Sequence, residues 1–253
     1  MPLTDLAARY SGLVLDLDGC VWVGDRAVPG SPEALAAWRD SGRGVAFVTN
    51  DPRSTPEDHV RKLWRVGVRA AADEVVTVGT AIGAYLAERH PGAGAFVVGA
   101  APLVRQVAAS GCRVLNNTRH ERDADVVVVA GHEGLGYAEL RIATQAVLAG
   151  AALIGAGRDA TIPMPDGPWP GSGAIVAAVE YATRRSAVSL GKPHPGIYRI
   201  AAERLQAPLL AVGDRLDSDV AGAAAAGIDA ALVLSGATSA DDLAAWTGAA
   251  PVA

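Results

Sequence analysis

The sequence predicts an α/β protein, a doubly wound parallel-sheet core domain into which a second α/β domain is inserted. Two observations carry that expectation. Short apolar or β-branched runs recur along the chain with alanine-rich stretches of helical periodicity between them, and continuous apolar strands separated by helices are the pattern of a parallel sheet covered on both faces. The polar segments that close these runs are also unevenly spaced. The interval from Asn50 to Lys192 is far longer than one crossover helix needs, so a separate domain has to fill it.

In chain order, the strand candidates are "GLVLDL", "GVAFVTN", "EVVTV", "GAFVVG", "DVVVVAG", "AALIG", "AVSLG", "LLAVGD" and "AALVLSG". The helix candidates are "SPEALAAWRDSG", with Ser31 as its cap and a closing glycine, "TPEDHVRKLWRVG", "TAIGAYLAERH", "APLVRQVAASG", "YAELRIATQAVLAG", "GSGAIVAAVEYATRR", "PGIYRIAAERL" and "SDVAGAAAAG". Residues 81–186 contain their own strands and helices, enough for an independent module, which leaves 1–80 and 187–253 as the core. Hinges are expected near Gly79 and Ser186. The final stretch "DLAAWTGAAPVA" carries no readable pattern.

Composition narrows the function. Of 253 residues, half are apolar and 19% charged, so the chain can bury a large core and need not be disordered. The net charge is −5 and the basic residues are scattered, which argues against a nucleic-acid or anionic-membrane surface and for a small partner. No run of roughly 18 apolar residues occurs, and the N-terminus lacks the charged-then-apolar order of a secretory signal, so a cytoplasmic location is expected. Two cysteines, Cys20 and Cys112, are too few for a disulfide framework.

Ligands of open α/β sheets bind at the carboxyl edge of the strands. Three polar segments directly follow apolar runs: Asp16 and Asp18 after "LVL", Thr49 and Asn50 after "VAFV", and "DRLDSD", Asp214 to Asp219, after "LLAVG". A single Asp-Gly is equally well a turn; three such places together are harder to read that way. Residues two apart share a face while a strand persists, so Asp18 can look back at whatever Asp16 holds. Clustered acids repel and raise one another's pKa unless a cation sits among them, and hard oxygen ligands suit Mg²⁺. A carboxylate can then attack phosphorus while its neighbour manages the proton. Lys192, set between Gly191 and Pro193, is either a solvated loop charge or a positioned cation that balances a phosphoryl group.

"DLDGCVW", "FVTN", "GKPHPGIY" and "VGDRLDSDVAGAAAAGI" together resemble the four motifs of the haloacid dehalogenase superfamily, in the form used by its NagD-type (class IIA) phosphatases. The resemblance spans nearly the whole chain and implies a Rossmann-like core. It implies Asp16 as a nucleophile that forms an aspartyl-phosphate and Asp18 as general acid and then base. Mg²⁺ would be held by Asp16, the Asp18 carbonyl and Asp214, with Asp219 in support and Asp217 a weaker member. Thr49 and Asn50 would bind the phosphoryl oxygens, and Lys192 would neutralise charge. The insert would be a cap that excludes water and selects substrate. Such caps often pair, so a homodimer through the cap is a possible assembly.

The pattern departs from the family at several places. Asp51 stands where a second asparagine is usual and adds a negative charge beside the phosphate site. Cys20 replaces threonine or valine and is either a small buried filler or a redox switch. In "LIGAGRDATIP" the usual cap motif keeps only Asp159. Arg158 is read either as a fork for a second anionic group of the substrate or as a surface arginine, and His132 either as a pocket residue or as a loop histidine. Gly171 and Gly173 either face an anion at a helix start or permit a tight entry. Trp169 is a stacking platform or packing.

The leading functional expectation is a Mg²⁺-dependent phosphatase of small monoesters such as sugar phosphates, glycerol phosphate or nucleoside monophosphates. Phosphoryl transfer to another acceptor, as in a mutase, is the alternative within enzymes. A receiver-like regulatory domain shares the acidic cluster but lacks an acid two residues after its nucleophile and has no hundred-residue insert.

Overall fold

The computed structural model describes residues 4–164 and 167–253. Its internal contacts divide the chain into two units, one comprising the residues up to Thr49, Pro56–Val76 and Lys192–Ala253, the other Asn50–Thr55 and Thr77–Gly191.

The first unit is built on a five-stranded sheet in the order Asp229–Leu232, Leu209–Gly213, Gly12–Asp16, Gly44–Thr49, Val75–Thr77. The strand Gly12–Asp16 lies between parallel partners on both sides, with Leu15 opposite Val212 and Asp16 opposite Val48. Every residue of that strand is buried, as a central strand covered on both faces requires. Leu13 and Leu15 join Val45, Phe47, Trp22, Leu35, Trp38 and Leu63 in one hydrophobic cluster. The flanking helix Ser31–Asp40 starts after Gly30, whose φ of 84° is left-handed. Ser31 is not its cap: the hydroxyl donates to the Val21 carbonyl at 3.0 Å, and the helix start is set by Gly30 and Pro32 instead. Helix Pro56–Arg65 buries His59 and Leu63 on one face.

The second unit has its own five-stranded parallel sheet, ordered Val188–Ser189, Ala152–Gly155, Val126–Val129, Gly94–Val98, Arg113–Val114. The four valines 126–129 show how a continuous apolar run serves two faces. Val126 and Val128 pack with Ile82, Leu86 and Leu103, whereas Val127 and Val129 pack with Ile142, Val147 and Val176. An antiparallel hairpin, Thr161–Met164 with Gly167–Pro170, completes the unit.

Sequence periodicity located nine of these strands but misassigned one. The run "AVSLG" was expected in the core from residue 187 onward; Val188 and Ser189 pair with Ile154 and Gly155 of the second sheet, and the chain returns to the first unit at Lys192. The outgoing crossing also comes earlier than Gly79, at Thr77, whose side chain caps helix Val78–Arg89 by accepting from the Thr80 amide. A two-residue strand carries too few side chains for its pattern to say which sheet it joins. The uninterpreted tail forms helix Ala240–Ala245 and then an extended end. There the Val252 amide donates to Ala230 and the Ala253 carbonyl accepts from Leu232, supplying backbone partners along an edge strand.

Candidate active site

Three adjacent parallel strands of the first unit end on the same edge, and each delivers one polar residue there. Asp16 closes the central strand, Thr49 closes one neighbour, and Asp214 follows Gly213 of the other. All three are buried. Asp219 arrives on a π-helical turn, Leu216–Val220, a local widening of the helix that often marks functional sites. Gly213 lies so close beneath it that a Cβ there would sit 2.1 Å from that of Asp219.

Lys192 joins the acids. Its Nζ lies 2.5 Å from Asp16 Oδ1 and 2.6 Å from Asp219 Oδ1, with all three side chains less than a tenth exposed. Burial pushes the Asp16 carboxyl well up, against the pull of Lys192. Burial also opposes the Lys192 charge, but Asp16 and Asp219 overcome it and hold the ammonium protonated. The Asp219 carboxylate is fixed further by the Tyr198 hydroxyl at 3.2 Å and the Arg215 amide at 3.1 Å. Asp214 Oδ2 accepts from the Ala237 amide at 2.7 Å, and burial raises its pKa despite that bond.

Oxygen atoms of Asp16 and Asp214 and the Cys20 Sγ all lie within 4.8 Å of one another. Among the described residues, Asp16, Asp214 and Asp219 share Lys192 as their one buried ammonium; ionised together they would carry two negative charges in excess, which a divalent cation cancels and which burial otherwise opposes. The donor set therefore fits a hard metal ion. Burial, with Asp16, Asp219 and Asp214 nearby, pushes the Cys20 thiol far up, and a soft sulfur is a poor match for a hard ion beside the two carboxylates. Asp18 is exposed, two residues past Asp16, and its Oδ1 accepts from the Trp22 indole at 2.8 Å.

Comparison with known proteins gives the family. Residues 13–113 match the family model described as haloacid dehalogenase-like hydrolase, and residues 189–253 match the one described as HAD-hydrolase-like. An acid sugar phosphatase of Staphylococcus saprophyticus is 32% identical over 93% of this chain and 90% of its own length. The chain belongs to the haloacid dehalogenase-like hydrolases.

Two further members of the family are informative. The D-glycerol 3-phosphate phosphatase of Mycobacterium tuberculosis is 35% identical over 95% of this chain and 67% of its own; its crystal structure in complex with magnesium superposes with a TM-score of 0.90 over 98% of this chain and 76% of that one. The 4-nitrophenylphosphatase of Thermotoga maritima gives a TM-score of 0.89 at 31% identity, over 98% and 94% of the two chains.

Within this hydrolase the remaining candidates divide. Asp217 lies outside the buried cluster, exposed and 3.4 Å from Arg215. In the second unit the Asn50 amide donates to Asp159 Oδ2 at 3.3 Å. The Asp51 charge is offset locally: burial would raise its pKa, but Arg53, 2.8 Å away, and Ser54 bring it below the usual carboxylate range. The expectation that Arg158 reaches a substrate anion does not match its contacts. One guanidinium nitrogen donates to Glu180 at 2.8 Å and another to the Ala187 carbonyl at 2.9 Å. His132 likewise faces Glu139 at 3.1 Å, and Glu139 in turn accepts from the Gly136 amide at the start of helix Tyr137–Leu148. Gly171 and Gly173 serve the tight entry: a Cβ on either would come within 2.4 Å of backbone atoms of Arg158 or Asp159. Trp169 pairs with Ile162 in the hairpin.

Sequence reasoning passed over Tyr198 and Trp22. Tyr198 lies six residues beyond Lys192 in the same motif, and Trp22 four beyond Asp18; that proximity to the motifs was the available signal.

Proposed function

We propose that this haloacid dehalogenase-like hydrolase is a Mg²⁺-dependent phosphatase of small phosphate monoesters, working through an aspartyl-phosphate on Asp16. The observation that carries the reading is the buried pairing of Asp16 and Asp219 with Lys192, beside an excess of negative charge. Asp16 Oδ1 is engaged by Lys192, which leaves Oδ2 for attack on phosphorus. Lys192 offsets charge on the phosphoryl group, and Thr49, at the end of the adjacent strand, donates to its oxygens. Asp18 gives its proton to the departing alcohol and takes one from the water that hydrolyses the acyl phosphate. Asp16, Asp214 and the Asp18 carbonyl would hold Mg²⁺, with Asp219 supporting them. Bound there, the ion neutralises charge and lets an anionic ester approach a carboxylate.

The second unit is assigned substrate selection, with Asn50, which directly follows Thr49, and Asp159, which accepts its hydrogen bond, as the candidate residues. Sugar and glycerol phosphates are the favoured substrates, since the relatives named above act on these classes. The test is phosphate release from a panel of small monoesters, with Mg²⁺ and with EDTA. Metal-dependent release that favours one class supports the reading, and no release from any member overturns it.

A further inference from the structure

The chain leaves the central strand through a tight turn in which the Val21 and Trp22 amides both donate to the Leu17 carbonyl, at 2.9 and 3.2 Å, and the Gly19 amide donates to Trp22 at 2.7 Å. This turn brings the Trp22 indole back onto Asp18. Nε1 donates to Asp18 Oδ1 at 2.8 Å, so a fully buried ring, 1% exposed, presents its one polar atom to an exposed carboxyl. Two groups on helix Pro56–Arg65 fix the ring. His59 stacks on it, with centroids 6.4 Å apart and planes 7° from parallel, and the Lys62 ammonium lies 4.4 Å above its centroid.

An indole N–H only donates, and the unprotonated oxygen of a carboxyl is the better acceptor of the two. Asp18 Oδ1 is thereby kept as an acceptor, and Oδ2 is the atom left to carry the proton. A cation over the ring face draws electron density from the indole and strengthens the N–H as a donor. We infer that Trp22, backed by His59 and Lys62, is a positioning residue that orients Asp18 for proton transfer through Oδ2.

This inference rests on the reading of Asp18 as general acid and base. In the first step Asp16 forms a bond to phosphorus, the bond from phosphorus to the ester oxygen breaks, and the departing oxygen takes the proton from Asp18 Oδ2. In the second, Asp18 Oδ2 takes a proton from water as that water's oxygen attacks phosphorus and Asp16 is released as a carboxylate. Trp22 touches neither reacting atom, and its contribution is confined to steps that need Asp18. An aryl ester with an acidic leaving group departs with little help from an acid, whereas an alkyl ester needs it.

The experiment is kcat/KM of wild type and Trp22→Phe on glycerol 3-phosphate and on 4-nitrophenyl phosphate, both with Mg²⁺, alongside thermal melting. The expected result is a loss of about tenfold or more on the alkyl ester and under about threefold on the aryl ester, a part of the roughly 10²–10⁴-fold that a general acid contributes. In an Asp18→Asn background, Trp22→Phe should cost nothing further. Because Trp22 is buried, Lys62→Gln provides a second variant that leaves the core intact and should carry the same selectivity at about twofold to threefold. Equal losses on the two esters for the variants, from an active wild type, overturn the positioning role alone. A wild type that cleaves neither ester overturns the phosphatase reading and this inference together.

Discussion

Replacing Asp16 by asparagine removes a charge and a nucleophile while changing almost no volume. Burial already works against ionised Asp16, so Asp16→Asn should melt no lower than wild type while its phosphate release falls to background. Release close to that of wild type would remove Asp16 as the nucleophile. Lys192 is the opposite case. Its removal leaves Asp16 and Asp219 buried beside each other without their shared cation, and breaking a buried pair in this way costs about 3–5 kcal/mol. Lys192→Met should therefore lose activity and also unfold at clearly lower urea concentration; unchanged stability would mean that the two acids take up protons with little penalty. These residues were legible in the sequence because each carboxylate or hydroxyl interrupts or closes an apolar run. Trp22 and Tyr198 were not, since an aromatic in apolar surroundings reads as core, and only the fold shows that each turns a polar atom toward an acid.

Elements explain what the single residues of the second unit do. Glu180 on helix Ser172–Thr183 accepts from Arg158 through one oxygen and from the Ala187 amide through the other, so the pair ties that helix to the segment entering strand Val188–Ser189. Hydrogen bonding from Arg158, ahead of the opposing effect of burial, holds Glu180 below its ordinary value of 4.5. An acid depressed in this way adds stability above its unfolded value, and loses it as pH falls through the lower folded value. Arg158 is nearly half exposed, so the ion pair itself is worth under about 1 kcal/mol. Arg158→Ala should thus lower the melting temperature slightly near neutral pH, with the gap to wild type narrowing below pH 4.5. It should leave KM for substrates with a second anionic group unchanged. A selective rise in that KM would instead return Arg158 to substrate binding. The sequence could not separate these outcomes, because Glu180 is far from Arg158 in the chain and nothing in either local pattern marks the other as its partner. The same limit applies to strand Val188–Ser189, whose apolar run was visible while its sheet was not.

At the scale of the whole molecule, every residue assigned to Mg²⁺ lies in the first unit, although the chain reaches that unit in three separate segments. Sequence spacing made an insertion legible, since the interval between Asn50 and Lys192 has no other use, but the crossings depend on pairing between distant short strands. A ligand that binds only the folded state stabilises it by RT ln(1 + [L]/Kd), about 2.7 kcal/mol at a hundredfold excess over Kd. That stabilisation acts on the unit holding the ligands. Mg²⁺ should therefore raise the melting temperature of the first unit by several degrees, and Asp214→Ala should abolish the rise. If the two units melt separately in calorimetry, only one transition should move, and it should be the one that Lys192→Met lowers and Arg158→Ala does not. If a single transition moves as a whole, the units unfold cooperatively and Arg158→Ala should lower that transition too. A Mg²⁺ shift that survives Asp214→Ala would place the ion away from the acidic cluster, and a shift confined to the transition that Arg158→Ala lowers would place it in the inserted unit.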